Sequence, residues 1–101
     1  MINDALGLQD AGAFAIVVEG VVGKAGEAIS QSLSIPTIGI GAGAGCDGQV
    51  LVFHDVFGIF NDFVPKFVKK YADVNKIITK ACKNYINDVK NGVFPAQEHT
   101  F

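Results

Sequence analysis

Apolar positions along this chain follow two rhythms, and their alternation predicts buried strands joined by amphipathic helices. Residues 2–11 set Ile2, Ala5, Leu6 and Leu8 among helix-forming neighbours, and Gly12 stands where a helix C-terminal cap would. From Ala13 the run Ala-Phe-Ala-Ile-Val-Val is continuously apolar and ends β-branched. That pattern fits a strand buried on both faces, stopped by polar Glu19. After residues 20–23, residues 24–33 gather Ala25, Ala28, Ile29 and Leu33 on one helical face and keep Lys24, Glu27 and Gln31 elsewhere. Pro36 ends this crossover helix, and residues 36–40 read as a second buried strand.

The pattern then loosens. Glycines crowd positions 39, 41, 43, 45 and 48, and residues 49–53 predict a third strand that runs up to His54 and Asp55. Residues 57–63 are aromatic and turn-like, and residues 64–72 predict a helix. Asp73 is placed to cap a longer helix with Val74, Ile77, Ile78, Ala81, Tyr85 and Val89 on one face, closed by Gly92. No repeat or low-complexity tract interrupts the chain, which reads as one structural unit. Strands alternating with crossover helices specify a parallel α/β arrangement, and three strands are well under half of a β/α barrel.

Composition narrows the function. The chain has 101 residues, is 50% hydrophobic and carries a formal charge of -2 from 8 basic and 10 acidic side chains. Its mean hydropathy is +0.35. No basic stripe is present to gather phosphates, so nucleic acid is not an expected partner. The longest apolar stretch is too short to span a bilayer, and no basic-then-apolar leader opens the chain, so a cytoplasmic location is expected. Cys46 and Cys82 lie far apart without a CxxC or Cys/His cluster and read as reduced thiols. Lys66, Lys69, Lys70, Lys76, Lys80, Lys83 and Lys90 hold nearly all the positive charge, and a solvated helix face explains most of them.

Glu19 is the leading chemical candidate. In parallel α/β folds, groups at the carboxyl ends of strands face a crevice where loops diverge. A carboxylate between an apolar strand and a glycine turn is expected to be partly desolvated and so a stronger base toward a carbon acid. A solvated or ion-paired loop glutamate is the competing reading. The run Gly39-Ile40-Gly41-Ala42-Gly43-Ala44 satisfies G-x-G-x-x-A, but it passes through Gly45-Cys46-Asp47-Gly48 into a strand and opens no helix, so a dinucleotide site is rejected. Bare glycines there instead let backbone approach a ligand closely, and phosphate binding is a rival use of the same residues. His54 and Asp55 read either as acid, base or ligand, or as a hydrogen-bonded corner.

Three segments together closely resemble the ketopantoate hydroxymethyltransferase family: Ala11-Gly12-Ala13-Phe14-Ala15-Ile16-Val17-Val18-Glu19, Ser34-Ile35-Pro36-Thr37-Ile38-Gly39-Ile40-Gly41-Ala42-Gly43 and Cys46-Asp47-Gly48-Gln49-Val50-Leu51-Val52-Phe53-His54-Asp55. Pro65-Lys66-Phe67 and the ending Gly92-Val93-Phe94-Pro95 with Glu98-His99 extend the likeness over essentially the whole chain. The resemblance implies the C-terminal part of a (β/α)8 barrel of the phosphoenolpyruvate mutase-like kind, with residues 1–101 as one partial-barrel unit lacking the N-terminal strands. It implies transfer of a hydroxymethyl group from 5,10-methylenetetrahydrofolate to 3-methyl-2-oxobutanoate, giving ketopantoate on the way to pantothenate, by a homo-oligomeric enzyme. Glu19 matches the family's C3 base; Ile40, Gly41 and Val52 are the expected substrate-binding positions. Mg²⁺ is implied as a cofactor, with its ligands on the absent strands. The sequence departs from the family at Gly20-Val21-Val22, where Cys-Val-Pro is usual, which predicts a looser turn beside Glu19. A truncated, self-associating remnant and a barrel acting on a phosphorylated substrate are the alternative readings.

Overall fold

The computed structural model describes residues 1–101, which form two compact units: Met1–Val52 with Pro65–Val68, and Phe53–Val64 with Lys69–Phe101. The first unit contains helix α1 (Ile2–Asp10), strand β1 (Ile16–Glu19), helix α2 (Gly23–Ser32), strand β2 (Thr37–Ile40) and strand β3 (Gly48–Gln49). The second contains helix α3 (Phe53–Val56), helix α4 (Val74–Lys90) and a short 3-10 turn at Gln97–His99.

The α/β reading holds. The strands form one sheet in the order β1-β2-β3. Both pairings are parallel, with Ile16 opposite Thr37, Glu19 opposite Ile40, and Gly39 opposite Gln49. Helix α1 ends as its sequence predicts: Gly12 donates to the Gln9 carbonyl at 2.9 Å and Ala13 to Leu8 at 3.1 Å, which satisfies two of the last carbonyls. Helix α2 turns its predicted face inward. Ile29 joins Ala5, Val18 and Ala42 in the core, with Leu33, Ile16, Val21 and Cys46 packed around them. Gly26, which lowers helix propensity, has a packing reason: a Cβ there would collide with the carbonyl oxygen of Ala42, so only a bare helix surface lets α2 close on the glycine tract.

Four sequence expectations are corrected. Strand β1 is not buried on both faces: Val18 is 6% exposed, whereas Val17 is 62% and Phe14 89% exposed. Alternation puts Val18 against the helices and leaves Val17 on a face nothing covers. The third strand is shorter than residues 49–53. Val50 still donates to the Gly39 carbonyl at 3.0 Å, but β2 turns away at Gly41 (φ +62°), and the residues beyond Val50 lose their partner strand. Phe53–Val56 is helical instead, its Phe53 ring lying edge-on to Phe57 at 5.0 Å.

Residues 64–72 form no helix. Pro65 disfavours helix in the residue before it, and its carbonyl closes a single turn with Val68 N–H at 3.0 Å. Asp73 holds the N-cap position of α4 without capping it by a side-chain bond. The N–H groups of Val74 and Asn75 already reach the carbonyls of Phe57 at 2.9 Å and Gly58 at 3.0 Å, so they need no side-chain cap. Asp73 pairs with Lys76 at 3.2 Å, and the hydrogen bond from that ammonium holds its carboxyl below the ordinary range. At the far end Gly92 closes α4 as predicted, with Val93 donating to the Asp88 carbonyl at 2.8 Å.

One polar cluster ties the first unit together. Thr37, fully buried, opens β2. Its N–H and its hydroxyl both donate to Asp47 Oδ2, at 2.8 and 2.9 Å, and its Oγ1 accepts the Asp47 N–H at 3.2 Å and meets the hydroxyl of Ser30. Asp47 is thereby held below the ordinary carboxylate range, first by the backbone N–H of Thr37 and then by its hydroxyl. Thr37→Val keeps the shape but removes these hydroxyl bonds, and is expected to cost about 1–2 kcal/mol in urea unfolding. A carboxylate with a depressed folded pKa stabilises fully above its unfolded pKa of about 3.9 and loses that contribution as pH falls through the folded value. Melting temperatures of the chain and of Asp47→Asn should therefore differ at neutral pH and converge in acid below about pH 4.

Candidate active site at the carboxyl edge of the sheet

The carboxyl ends of β1 and β2 lie side by side. Glu19 faces Ile40 across the ladder, and Gly20 donates its N–H to the Ile40 carbonyl at 2.9 Å, so the backbone that carries the carboxylate is fixed to its neighbour strand. Gly20 itself takes φ +64°. The departure from Cys-Val-Pro thus leaves a turn tied at its first residue by this bond. Glu19 is exposed, so the desolvation predicted for it is not found in this chain. Ile40 is buried, and Gly41, at the start of the next turn, is half-buried.

An open cleft of about 700 Å³ begins beside this edge. Gly20 to Gly23, Gly41, Gly43, Lys66 and Phe67 line it. The glycines are there for contact. A Cβ on Gly41 would lie 2.6 Å from Phe67 Cδ1, and one on Gly43 would lie 2.6 Å from the Cα of Gly23. Gln49 adds a bond from its amide nitrogen to the Gly43 carbonyl at 2.9 Å. The chain leaves this tract into β3, so the G-x-G-x-x-A run opens no helix and the rejection of a dinucleotide site stands.

The structure therefore brings Glu19, Ile40 and Gly41 together. Val52 is apart from them: it stands exposed three residues beyond β3, whereas Glu19 and Ile40 are paired in the ladder and Gly41 follows directly. His54 and Asp55 lie in α3 of the second unit. The His54 ring packs edge-on to Phe53 at 5.5 Å, and its main-chain carbonyl accepts Ile59 N–H at 2.9 Å. Lys66 is the residue that sequence reasoning misplaced. Expected in a helix over residues 64–72, it is exposed but belongs instead to a turn that lines the glycine cleft. Its only sequence signal was its place inside Pro65-Lys66-Phe67.

No three His, Cys, Asp or Glu side chains converge in a way that could hold a metal ion. The residues present therefore do not by themselves fit a Mg²⁺ site. No helix is long and apolar enough to cross a membrane.

The profile of the ketopantoate hydroxymethyltransferase family matches residues 1–97. The chain belongs to this family. Proteins named 3-methyl-2-oxobutanoate hydroxymethyltransferase are similar to it along its whole length: that of Syntrophotalea carbinolica is 57% identical over 102 residues, that of Enterococcus faecalis 56% over 101, and that of Trichlorobacter lovleyi 52% over 101. The chain spans 38%, 37% and 38% of the length of these three ketopantoate hydroxymethyltransferase relatives.

Contact at the glycines and strain in them can be separated by substitution. Gly12→Ala places a side chain at φ +98° in open space and is expected to cost about 1–3 kcal/mol from strain alone. Gly43→Ala, at φ +79°, adds a backbone collision and is expected to cost about 1–3 kcal/mol more, read in urea unfolding.

Proposed function

We propose that, in a protein of full family length, this chain supplies the proton-abstracting edge of a hydroxymethyltransferase acting on 3-methyl-2-oxobutanoate, with 5,10-methylenetetrahydrofolate as the one-carbon donor and ketopantoate as the product. The observation that carries the reading is Glu19: an accessible carboxylate at the carboxyl end of a parallel strand, locked in register with Ile40 beside an open cleft, in a chain of this family. In this reading β1, β2 and β3 are consecutive strands of a (β/α)8 barrel of the phosphoenolpyruvate mutase-like kind. Their parallel order supports it, as does the uncovered face shared by Val17 and Glu19, since barrel strands carry inward-facing side chains on that alternation.

The chemistry asked of Glu19 is a single proton transfer. Its carboxylate accepts the proton from C3 of the oxo acid, the C–H electron pair moves into the enolate, and C3 becomes the nucleophile toward the one-carbon unit. Ile40 and Gly41, next to Glu19 at the same edge, bound the space in which C3 would sit; Val52, which stands apart from them in this chain, is a further substrate-facing position only of the full-length enzyme in this reading. Covering this edge in the full-length enzyme would remove water from the carboxylate and strengthen it as a base. Mg²⁺, in this proposal, is held by parts of the enzyme other than this chain, and the enzyme is a homo-oligomer.

Exchange of the C3 proton for deuterium isolates the step from the transfer that follows. Glu19→Gln keeps the size of the side chain and removes its basicity, and in a full-length protein with Mg²⁺ it is expected to slow exchange by about 10²–10⁴-fold, followed by proton NMR. Exchange at the unsubstituted rate would remove Glu19 from the role of base.

A further inference from the structure

Resting on the reading just given, the geometry points to Lys66, which lines the glycine cleft, as the cation that receives a carboxylate of one of the two substrates. Lys66 is not placed there by its own interactions. The turn closed by Val68 N–H on the Pro65 carbonyl at 3.0 Å presents Phe67 to Gly41, and the phenyl ring lies so close to the bare Cα that an added Cβ would come within 2.6 Å of it. Phe67 is thus the anchor, and Lys66, its exposed neighbour in the same turn, is carried into the lining of the cleft.

What surrounds Lys66 makes the ammonium a receptor with nothing of its own to bind. The other cleft residues are glycines, valines and Phe67, none of them charged. Lys66 takes part in neither of the chain's ion pairs, which join the amino terminus to Asp4 and Lys76 to Asp73. Helix α2 begins at Gly23 in the same lining with no acidic residue in its first turn, so its N-terminal dipole adds to the positive field. A strongly hydrated point charge on a flexible stem, exposed and lining an open cleft, suits a carboxylate that arrives with the ligand. Both substrates of the proposed reaction carry one: the oxo acid at C1, the folate on its glutamate tail.

The test uses a full-length protein carrying Lys66→Gln or Lys66→Arg, with KM and kcat measured for each substrate and C3 deuterium exchange measured without folate. Lys66 is exposed, so neither variant is expected to disturb folding. Lys66→Gln is expected to raise one KM by about tenfold, with kcat changed much less, as loss of binding shared by ground and transition states requires, and Lys66→Arg is expected to restore most of it. A rise confined to the folate KM, with exchange untouched, assigns the carboxylate to the folate; a rise in the oxo acid KM in both assays assigns it to the oxo acid. Both KM values within twofold of the unsubstituted protein, or equal losses in Lys66→Gln and Lys66→Arg, would overturn the assignment. An active unsubstituted protein with unmoved KM values overturns Lys66 alone, whereas absence of exchange and transfer in the unsubstituted protein overturns the reading of Glu19 and this one with it.

Discussion

The bond pair from Thr37 to Asp47 is the constraint on which the first unit depends. One carboxylate oxygen takes both donors of the residue that opens β2, and the hydroxyl of that residue meets Ser30 near the end of α2. Helix, strand and glycine tract are thus tied at a single buried point. The tract needs this because its residues bring few side chains to pack, and seven of them separate β2 from β3. With Asp47 fixed to the start of β2, the tract must fold back along the strand it has just left, which sets β3 beside β2 in parallel register.

From that point the structure proceeds by backbone meeting backbone. Gly26 lies under the Ala42 carbonyl, Gly43 against Gly23, and Gly41 under Phe67. Each contact spends a position that a larger side chain would otherwise use for burial, and the buried apolar core is correspondingly small: Ala5, Val18, Ile29, Ile40 and Ala42. The same contacts draw the first turn of α2, the end of β2 and the Pro65 turn together around one cleft. Site and fold therefore use the same glycines.

Periodicity made the repeating parts legible. The face of α2 through Ile29 and Leu33, the glycine ends of α1 and α4, the order of strands and the strand-end position of Glu19 all follow from spacing that the chain itself displays. What was not legible depended on partners distant in sequence. The strand pattern of residues 49–53 fails because β2 turns away, and Asp73 is relieved of capping by carbonyls of Phe57 and Gly58. In sequence Lys66 is one lysine among seven, and what sets it apart is the seat of Phe67 on Gly41, a contact across 26 positions that no local window contains. The uncovered side of β1 was hidden for another reason: an apolar run reads alike whether one face or two are covered.

The open edge of β1 has a consequence for the backbone itself. The N–H groups of Ile16 and Gly20 bond to β2, through the carbonyls of Pro36 and Ile40, both at 2.9 Å. Amides alternate sides along a strand, so those of Val17 and Glu19 point the other way, toward water. Glu19 thus shows solvent both a proton donor on its main chain and a proton acceptor on its side chain. In the chain as it stands, hydrogen exchange along these few residues would alternate between slow and fast, and Glu19 would fall on a fast position.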